Sequence, residues 1–359
     1  MNAPALTDVR TQLVSLSEPE LGELASFIAA QSGRDRESVE SHLRWFLLEN
    51  PARRREDPVA YGLRAAGRLV GCILLSPQMF RFEARNILLM GSSSFYVDQH
   101  HRGHGGRIFL QYCRLGKQHP AFGTSANADA ATLWKAAGAH PIAHTGHEHL
   151  GVLNWPVVAE ELAHRKSSSS AISRFARSSV AGIVGWLRPL EIDRDDGTKL
   201  TLLASAEQVS DLRLPNQPMK LTALRDSAYL HWRYFSGHDA GTGVFAFRSR
   251  QPDRDVLITL NCRTRGYRGQ IRTLNVLDVY PEISTQEWLR LVSALIARYQ
   301  NVVDAIVLRN LNLELQRVFS KRNFQKRAFD APIGWLLDRF SLLPKTESYF
   351  VPADGDGLI

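Results

Sequence analysis

The sequence predicts an α/β (α+β) protein of two domains, and three observations carry that expectation. Its 359 residues, 44% of them hydrophobic, are enough to fill two ordinary cores, and single cores rarely grow to that size. The first half orders its text as helices, short strand-like runs, a glycine-rich turn, a helix, a strand and a further helix. The second half then repeats two spacings. Asn312-x-x-Leu315-x-x-Val318-Phe319-x-x-x-Asn323-Phe324 follows the pattern of Asn127-x-x-Ala130-x-x-Leu133-Trp134-x-x-x-Gly138-Ala139, with an offset of 185 residues from 127 to 312. Tyr229-Leu230-His231-Trp232-Arg233-Tyr234 echoes His42-Leu43-Arg44-Trp45-Phe46, with an offset of 187 residues from 45 to 232. Two pairs at nearly one offset point to a duplicated domain. The expected division is 1–163 for a first domain, 164–195 for a linker and 196–359 for a second domain.

Taken in order, residues 7–31 pattern as one amphipathic helix or two, with Ser17-Glu18-Pro19 marking a break. A further helix is expected over 36–48, carrying Leu43, Trp45, Phe46 and Leu47 and closed by Pro51. Tyr61–Ala65 and Leu69–Leu75 read as strands joined by Ala66-Gly67-Arg68, a hairpin signal. The runs Phe80–Arg85 and Ile87–Met90 continue the meander into Phe95.

From Phe95 the strand-like text ends at Asp98, and Gln99-His100-His101-Arg102-Gly103-His104-Gly105-Gly106-Arg107 follows as a basic glycine-rich turn. Apolar residues resume at helical spacing over Ile108–Cys113. Glycines 103, 105 and 106 are expected to take positive φ and to bring a ligand close to bare amides. Successive N–H groups running into a helix N-terminus make an anion site, and Arg102, Arg107 and the three histidines add positive charge around it. His140–Pro156 reads as a loop rich in histidine, namely His144, His147 and His149. Without cysteine or an acidic trio beside them these histidines do not make a metal site, and no metal is expected.

Four serines at 167–170 mark the linker. After them Ile172, Phe175, Val180, Ile183, Val184, Trp186 and Leu187 recur at helical spacing among Arg174, Arg177 and Arg188. Residues 171–188 are thus the candidate for peripheral contact with an anionic membrane, although packing against a neighbouring domain is favoured because the polar face holds more serine than lysine. In the second copy Val244–Phe247, Val256–Leu260, Ile271–Val279 and Ile306–Leu308 read as strands and Gln286–Tyr299 as a helix. Where the first copy has its glycine turn, the second has Asp278-Val279-Tyr280-Pro281-Glu282-Ile283-Ser284, without glycine and with two acidic residues, which is hostile to phosphates.

The balance is basic, with a net charge of +8. Such a field attracts anionic cofactors, nucleotides, tRNA or membrane surfaces without choosing among them. No run approaches the roughly 18 apolar residues of a membrane span, and no signal-like segment opens the chain, so a cytoplasmic location is expected. Cys72, Cys113 and Cys262 stand alone in apolar text and are expected to be reduced, buried thiols.

At two places the residues resemble a known family. Arg102-Gly103-His104-Gly105-Gly106 resembles the R-x-x-G-x-(G/A) acyl-CoA pyrophosphate loop of the GNAT (GCN5-related) acyltransferases, and Asn127 to Ala139 resembles their later N-x-x-A-x-x-L-Y-x-x-x-G-F signature. The resemblance implies two GNAT-like domains, each a mixed, mostly antiparallel twisted sheet flanked by helices, the second of them degenerate. It implies acetyl-CoA or another acyl-CoA as co-substrate, held by Phe95, Tyr96, Val97, Arg102, Gly103, His104, Gly105, Gly106, Arg107, Asn127, Ala130 and Trp134. It also implies an oxyanion donor from a backbone N–H within Ser94–Val97, with the pantetheine arm along the same strand edge where that strand diverges from the next. Ser94, Tyr96 and Asp98 are the candidate catalytic residues. Two departures stand out: Arg107 occupies the place of a small residue, and Trp134 that of a tyrosine whose phenol serves relatives as an acid, a task an indole N–H cannot perform.

The expected activity is therefore acyl-CoA-dependent transfer to a primary amine. Tandem chains with the Trp-Arg-Tyr echo and an aspartate-glycine C-terminus, here Ala353-Asp354-Gly355-Asp356-Gly357, resemble proteins associated with bacterial surface polysaccharides, which suggests a small-molecule amine acceptor linked to a sugar. Nucleic acid is not the expected partner. The alternatives are a Fem-type transferase using aminoacyl-tRNA, also a tandem GNAT-like architecture, and a non-catalytic CoA-binding component of a polysaccharide machine.

Overall fold

The computed structural model describes residues 10–83, 85–115, 117–166, 190–191, 198–214, 220–236, 242–248, 254–266, 269–329, 333–338 and 348–349. The serines at 167–170, the segment 171–188 and residues 353–357 lie outside the described residues. In chain order the elements begin with β1 (Thr11–Leu16), α1 (Leu21–Ser32), α2 (Arg36–Leu43), β2 (Ala60–Ala65), β3 (Arg68–Phe82), β4 (Arg85–Val97), α3 (Gly105–Leu115), β5 (Ala121–Gly123) and α4 (Ala128–Ala136). There follow β6 (His140–Pro141), β7 (His147–Val152), α5 (Trp155–Lys166), β8 (Thr201–Leu202), α6 (Glu207–Ser210), β9 (Leu221–Ala223) and α7 (Ser227–Leu230). The chain continues with β10 (Thr242–Arg248), β11 (Asp255–Arg265), β12 (Ile271–Tyr280), α8 (Thr285–Tyr299), β13 (Ala305–Arg309), α9 (Leu313–Lys321), β14 (Gln325–Ala328), β15 (Trp335–Leu337) and β16 (Ser348–Tyr349). The fold is mixed α/β, with two mixed, mostly antiparallel sheets flanked by helices.

The first unit comprises Met1–Pro141, Met219–Trp232 and Ile333–Glu347. Its strands run in the order β1-β2-β3-β4-β5-β15-β6, with β9 against the far end of β3. Among the described pairings along this order and at β9–β3, only β4–β5 is parallel. The segment expected as helix over 7–31 divides differently: Thr11–Leu16 is a strand in continuous antiparallel register with β2, and only Leu21–Ser32 is the long helix. Six consecutive cross-strand pairings outweigh the helical propensity of so short a run. The hairpin between β2 and β3 forms at Ala66 and Gly67, both at positive φ, as a two-residue mirror-image turn requires. Asp35 caps α2 by accepting from the Ser38 amide at 2.8 Å.

Both copies of the tryptophan echo fold alike, Arg44–Leu48 and His231–Phe235 each forming a π-helical turn. In the first unit the two tryptophans touch. The Trp45 indole N–H donates to the Trp232 carbonyl at 2.6 Å, and the Trp232 indole N–H donates to the Trp45 carbonyl at 2.8 Å. A repeat seen as spacing in the sequence is thus a reciprocal hydrogen-bonded pair between buried rings.

The second unit comprises Ile142–Pro218, Arg233–Pro332 and Ser348–Ile359. Its sheet runs β14-β7-β13-β12-β11-β10-β8, with only β12 and β13 parallel. One face carries Phe245, Ile258, Leu260, Leu274, Val276 and Leu308 into a core closed by Trp288, Leu291 and Phe319 from α8 and α9. The histidine-rich stretch expected as a loop is in part strand β7, paired antiparallel with both β13 and β14. His149 is 1% exposed there, and burial, with Lys326 and His147 nearby, pushes its pKa down to about 4, so the imidazole is neutral. Among the described residues no group of histidine, cysteine or carboxylate side chains could hold a metal. Cys72 and Cys113 are buried as expected, whereas Cys262, in the outer half of β11 where burial falls off beyond Asn261, is exposed.

Neither unit is one continuous span of chain. β7, which follows α4 and the short β6, pairs in the second sheet, and β15, which follows α9 and β14, pairs with β5 in the first. Among the described residues no helix is long and apolar enough to cross a membrane. A chain ending at residue 163 would keep β7 without β13 and β14 and leave β5 without β15. It should therefore show no cooperative thermal transition by circular dichroism, whereas the full chain should; a sharp transition in the short chain would contradict this strand exchange.

Candidate cofactor and catalytic site

The site expected from the sequence is built on the end of β4. Between β3 and β4 the register runs Gly71↔Val97 and Cys72↔Tyr96 and then shifts to Leu74↔Ser93. One extra residue therefore stands on β4 opposite Ile73, and Ser94 takes φ +46. This is a β-bulge, which locally breaks the ladder and turns the strand. Beneath it the Cys72 thiol lies 3.7 Å from the Ser94 carbonyl oxygen, and burial pushes its pKa up to about 12, which leaves it an inert weak donor.

On its other side β4 pairs with β5 at only two positions, Met90↔Ala121 and Gly91↔Phe122. β5 ends at Gly123 while β4 runs on to Val97. The two strands thus open like a fork beyond Gly91. A Cβ on Gly91 would lie 2.6 Å from the Ser76 carbonyl oxygen and 3.0 Å from the Phe122 ring, so only glycine fits at the last rung.

Aromatic side chains fill the base of the fork. The Tyr112 hydroxyl, from α3, sits 2.6 Å from the Met90 carbonyl oxygen and 3.1 Å from that of Phe122, so its one proton is shared between the strands. Burial pushes this phenol well above its ordinary pKa. Trp134, from α4, is 2% exposed and lies edge-on to Phe109 and Tyr112, at 5.2 and 5.7 Å between ring centroids. A Cβ on Gly123 would be 3.0 Å from the Trp134 ring and 3.2 Å from the Ser92 hydroxyl. The indole therefore packs where both strands leave their last rung.

The glycine turn is helical. Gln99–His104 forms a 3-10 turn that continues directly into α3 at Gly105, and Gly103, Gly105 and Gly106 do not take the positive φ expected of them. What these glycines provide is room. Nothing lies within 4 Å of where a Cβ would stand on Gly103 or Gly106, and on Gly105 it would meet Val97 at 3.3 Å and Phe95 at 3.5 Å. Gly105 lets the helix start sit close to β4, and its amide donates to the Arg102 carbonyl; Gly103 and Gly106 leave open room beside this turn, where the positive end of the helix dipole favours an anion. Arg102 is exposed, and His104 is half-buried in the same turn.

Other expected residues take local structural partners. Asp98 caps the turn by accepting from the His100 amide at 2.9 Å, and its carboxylate lies 3.4 Å from the His101 ring. The His100 amide, outweighing burial and helped by His101, holds the Asp98 carboxyl below the usual carboxylate range, which makes it a weak base. Arg107 donates to the hydroxyl of Thr11 on β1. Asn127 caps α4 by accepting from the Ala130 amide at 2.9 Å, and Asn312 caps α9 through the Leu315 amide at the same distance. Tyr96 and Phe95 are half-buried on β4, Phe95 with its ring 6.3 Å from Phe109.

Tyr112 was not among the expected site residues. Its place on the apolar face of α3, with Ile108, Phe109 and Cys113, is readable from spacing, but the carbonyls it binds belong to strands brought beside it only by folding.

The second sheet has the same fork without the anion-binding helix start. β12 pairs parallel with β13 only from Thr273 to Asn275, yet runs on to Tyr280. The following helix, α8, is closed by its own side chains in a capping box: the Ser284 hydroxyl accepts from the Glu287 amide, and the Glu287 carboxylate accepts from the Ser284 amide at 3.0 Å.

Removing the Tyr112 hydroxyl leaves two strand carbonyls without their donor in a dry site. Tyr112→Phe should cost about 1–3 kcal/mol of stability in urea unfolding; an unchanged midpoint would mean that the fork does not depend on this bond.

No protein-family model matches the sequence, and no curated protein matches it. Solved structures do. A conserved protein of Enterococcus faecalis V583, bearing the name Probable N-Acyltransferase, is similar at a TM-score of 0.57 and 11% identity over 94% of this chain and 75% of its own. A GCN5-related N-acetyltransferase from Anabaena variabilis ATCC 29413 is similar at 0.54 and 11% identity over 91% and 72%. Saccharomyces cerevisiae N-myristoyltransferase with bound myristoyl-CoA is similar at 0.53 and 11% identity over 94% and 80%. With the bulged and forked first sheet, these likenesses show that the chain has the fold of the GCN5-related N-acetyltransferases.

Proposed function

We propose that this protein is an acyl-CoA-dependent N-acyltransferase, working at the fork of the first sheet. The observation that carries the reading is the sequence of features along one strand: an edge free of β5 beyond Gly91, a bulge at Ser94, and, eight residues after the strand ends at Val97, a helix that starts at Gly105 among open glycines. The CoA pyrophosphate would lie at the start of α3, over the open glycines Gly103 and Gly106 and beside Arg102, the pantetheine along β4, and the thioester carbonyl against a backbone N–H within Ser94–Val97.

The amine acceptor must lose a proton to attack. Asp98, capped and of lowered pKa, is poorly suited to take it, so removal through water is the proposed route. Attack on the thioester carbon gives a tetrahedral oxyanion, whose collapse forms the amide and expels the CoA thiolate. Trp134 is buried in the aromatic cluster and has no acidic proton to return to that thiolate. Tyr96, on the strand that would carry the thioester, is the proposed donor. The proposed acceptor is a small-molecule primary amine, with an amino sugar of a surface polysaccharide as the class suggested by the resemblance. A CoA-binding protein without catalysis is the second reading, favoured by the indole at position 134; release of free CoA thiol with any amine would exclude it.

A side chain at Gly103 enters open space, so Gly103→Glu should fold normally, yet its carboxylate should weaken acetyl-CoA binding at least about tenfold by calorimetry. Absence of binding by the wild type would sink the proposal. Tyr96→Phe should lower kcat by about a hundredfold with little change in KM for acetyl-CoA; an unaltered kcat removes Tyr96 from the mechanism.

A further inference from the structure

On the face of the second sheet opposite its hydrophobic core, three arginines converge on one carboxylate. Glu148 on β7 stands between its cross-strand neighbours, Arg309 on β13 and Arg327 on β14. Its oxygens lie 3.0 Å from the Arg309 guanidinium, 3.3 Å from that of Arg327 and 3.3 Å from that of Arg265, which reaches over from the end of β11. Arg265 also donates to the Asn275 carbonyl oxygen at 3.0 Å, and Asn275 in turn donates to the side chain of Asn261 at 3.0 Å. The result is a continuous polar row across β11, β12, β13, β7 and β14.

One feature sets this row apart from an ordinary ion-pair network. Among the described residues three guanidiniums share a single carboxylate, leaving a surplus of two positive charges in a partly buried place; Glu148 is 4% exposed and the arginines range from 27% to 67%. Burial raises the Glu148 pKa, but Arg309 and Arg265 together outweigh it, and burial lowers that of Arg265. Surplus guanidiniums at a partly buried place call for an acceptor-rich anion.

We propose that this row is a binding site for the dianionic phosphoryl group of a small molecule. A phosphate monoester carries close to two negative charges at neutral pH and three acceptor oxygens, which matches both the surplus charge and the guanidinium forks. The site is independent of acyl transfer at the first sheet. It gives the second unit, whose corresponding helix start is closed by Ser284 and Glu287, an anion-binding role of a different construction.

The test is calorimetry of the full-length protein with inorganic phosphate at constant ionic strength, with chloride and succinate as controls. Wild type should bind phosphate, and Arg309→Gln and the more exposed Arg327→Gln should each weaken that binding about tenfold. Glu148→Gln removes the competing carboxylate: it should lower the melting temperature, tighten phosphate binding several-fold, and recover more melting temperature on adding phosphate than wild type does. No heat beyond that of chloride, or equal affinity in wild type and both arginine variants, would overturn the site. Tighter binding of succinate than of phosphate would overturn the phosphoryl assignment. Should Glu148→Gln fail to fold, the Arg327→Gln comparison decides alone.

Discussion

β4 and β5 are parallel and hold only two rungs before β5 ends at Gly123, and the interior of the first sheet depends on where they stop. The parting is enforced from several sides. Gly91 admits no side chain because the Ser76 carbonyl and the Phe122 ring already occupy that space, and a Cβ on Gly123 would press on the Trp134 ring at 3.0 Å. Tyr112 binds the carbonyls of both strands at the last rung, and the bulge at Ser94 turns β4 away from regular pairing just beyond it. An exposed strand edge is normally a liability. Here it lies in the middle of a sheet, where neighbouring strands and helices limit what can reach it.

The same reasoning explains why a tryptophan can stand where relatives of the fold carry a tyrosine. The indole is wedged between α3, α4 and the tip of β5, edge-on to two other rings and shielded from water. Its role in this chain is packing, and the space it fills is that left by the missing Cβ of Gly123. In the proposed transfer, proton handling would then come from β4 itself or from water.

The second unit repeats the architecture and replaces the chemistry. Its sheet forks at Asn275, and its Asn312 caps the last helix as Asn127 does in the first. Yet the helix that would face a pyrophosphate begins with a capping box that uses its own first-turn amide. Positive charge is gathered instead on the opposite sheet face around Glu148, through residues that are neighbours across strands and distant in sequence.

By itself the sequence determined what depends on local spacing. The strand runs of β2 and β3, the hairpin at Ala66-Gly67, the helix face of Ile108, Phe109 and Tyr112 and the duplicated tryptophan segments follow from periodicity and from residues whose conformational needs are met within a few positions. The glycine turn was legible as a turn before a helix, but the use of its glycines was misjudged: helical context, which a short window does not reveal, gave the Gly105 amide to the Arg102 carbonyl and made space rather than positive φ the use of Gly103 and Gly106. Only the tertiary structure decided that Thr11–Leu16 is a strand, that the histidine-rich stretch is a central strand of the second sheet, and that Tyr112, Trp134 and Gly123 close the base of the fork. Each of these depends on partners tens of residues or more away, and a hydrogen bond or a packed ring is specified by the partner as much as by the residue that makes it.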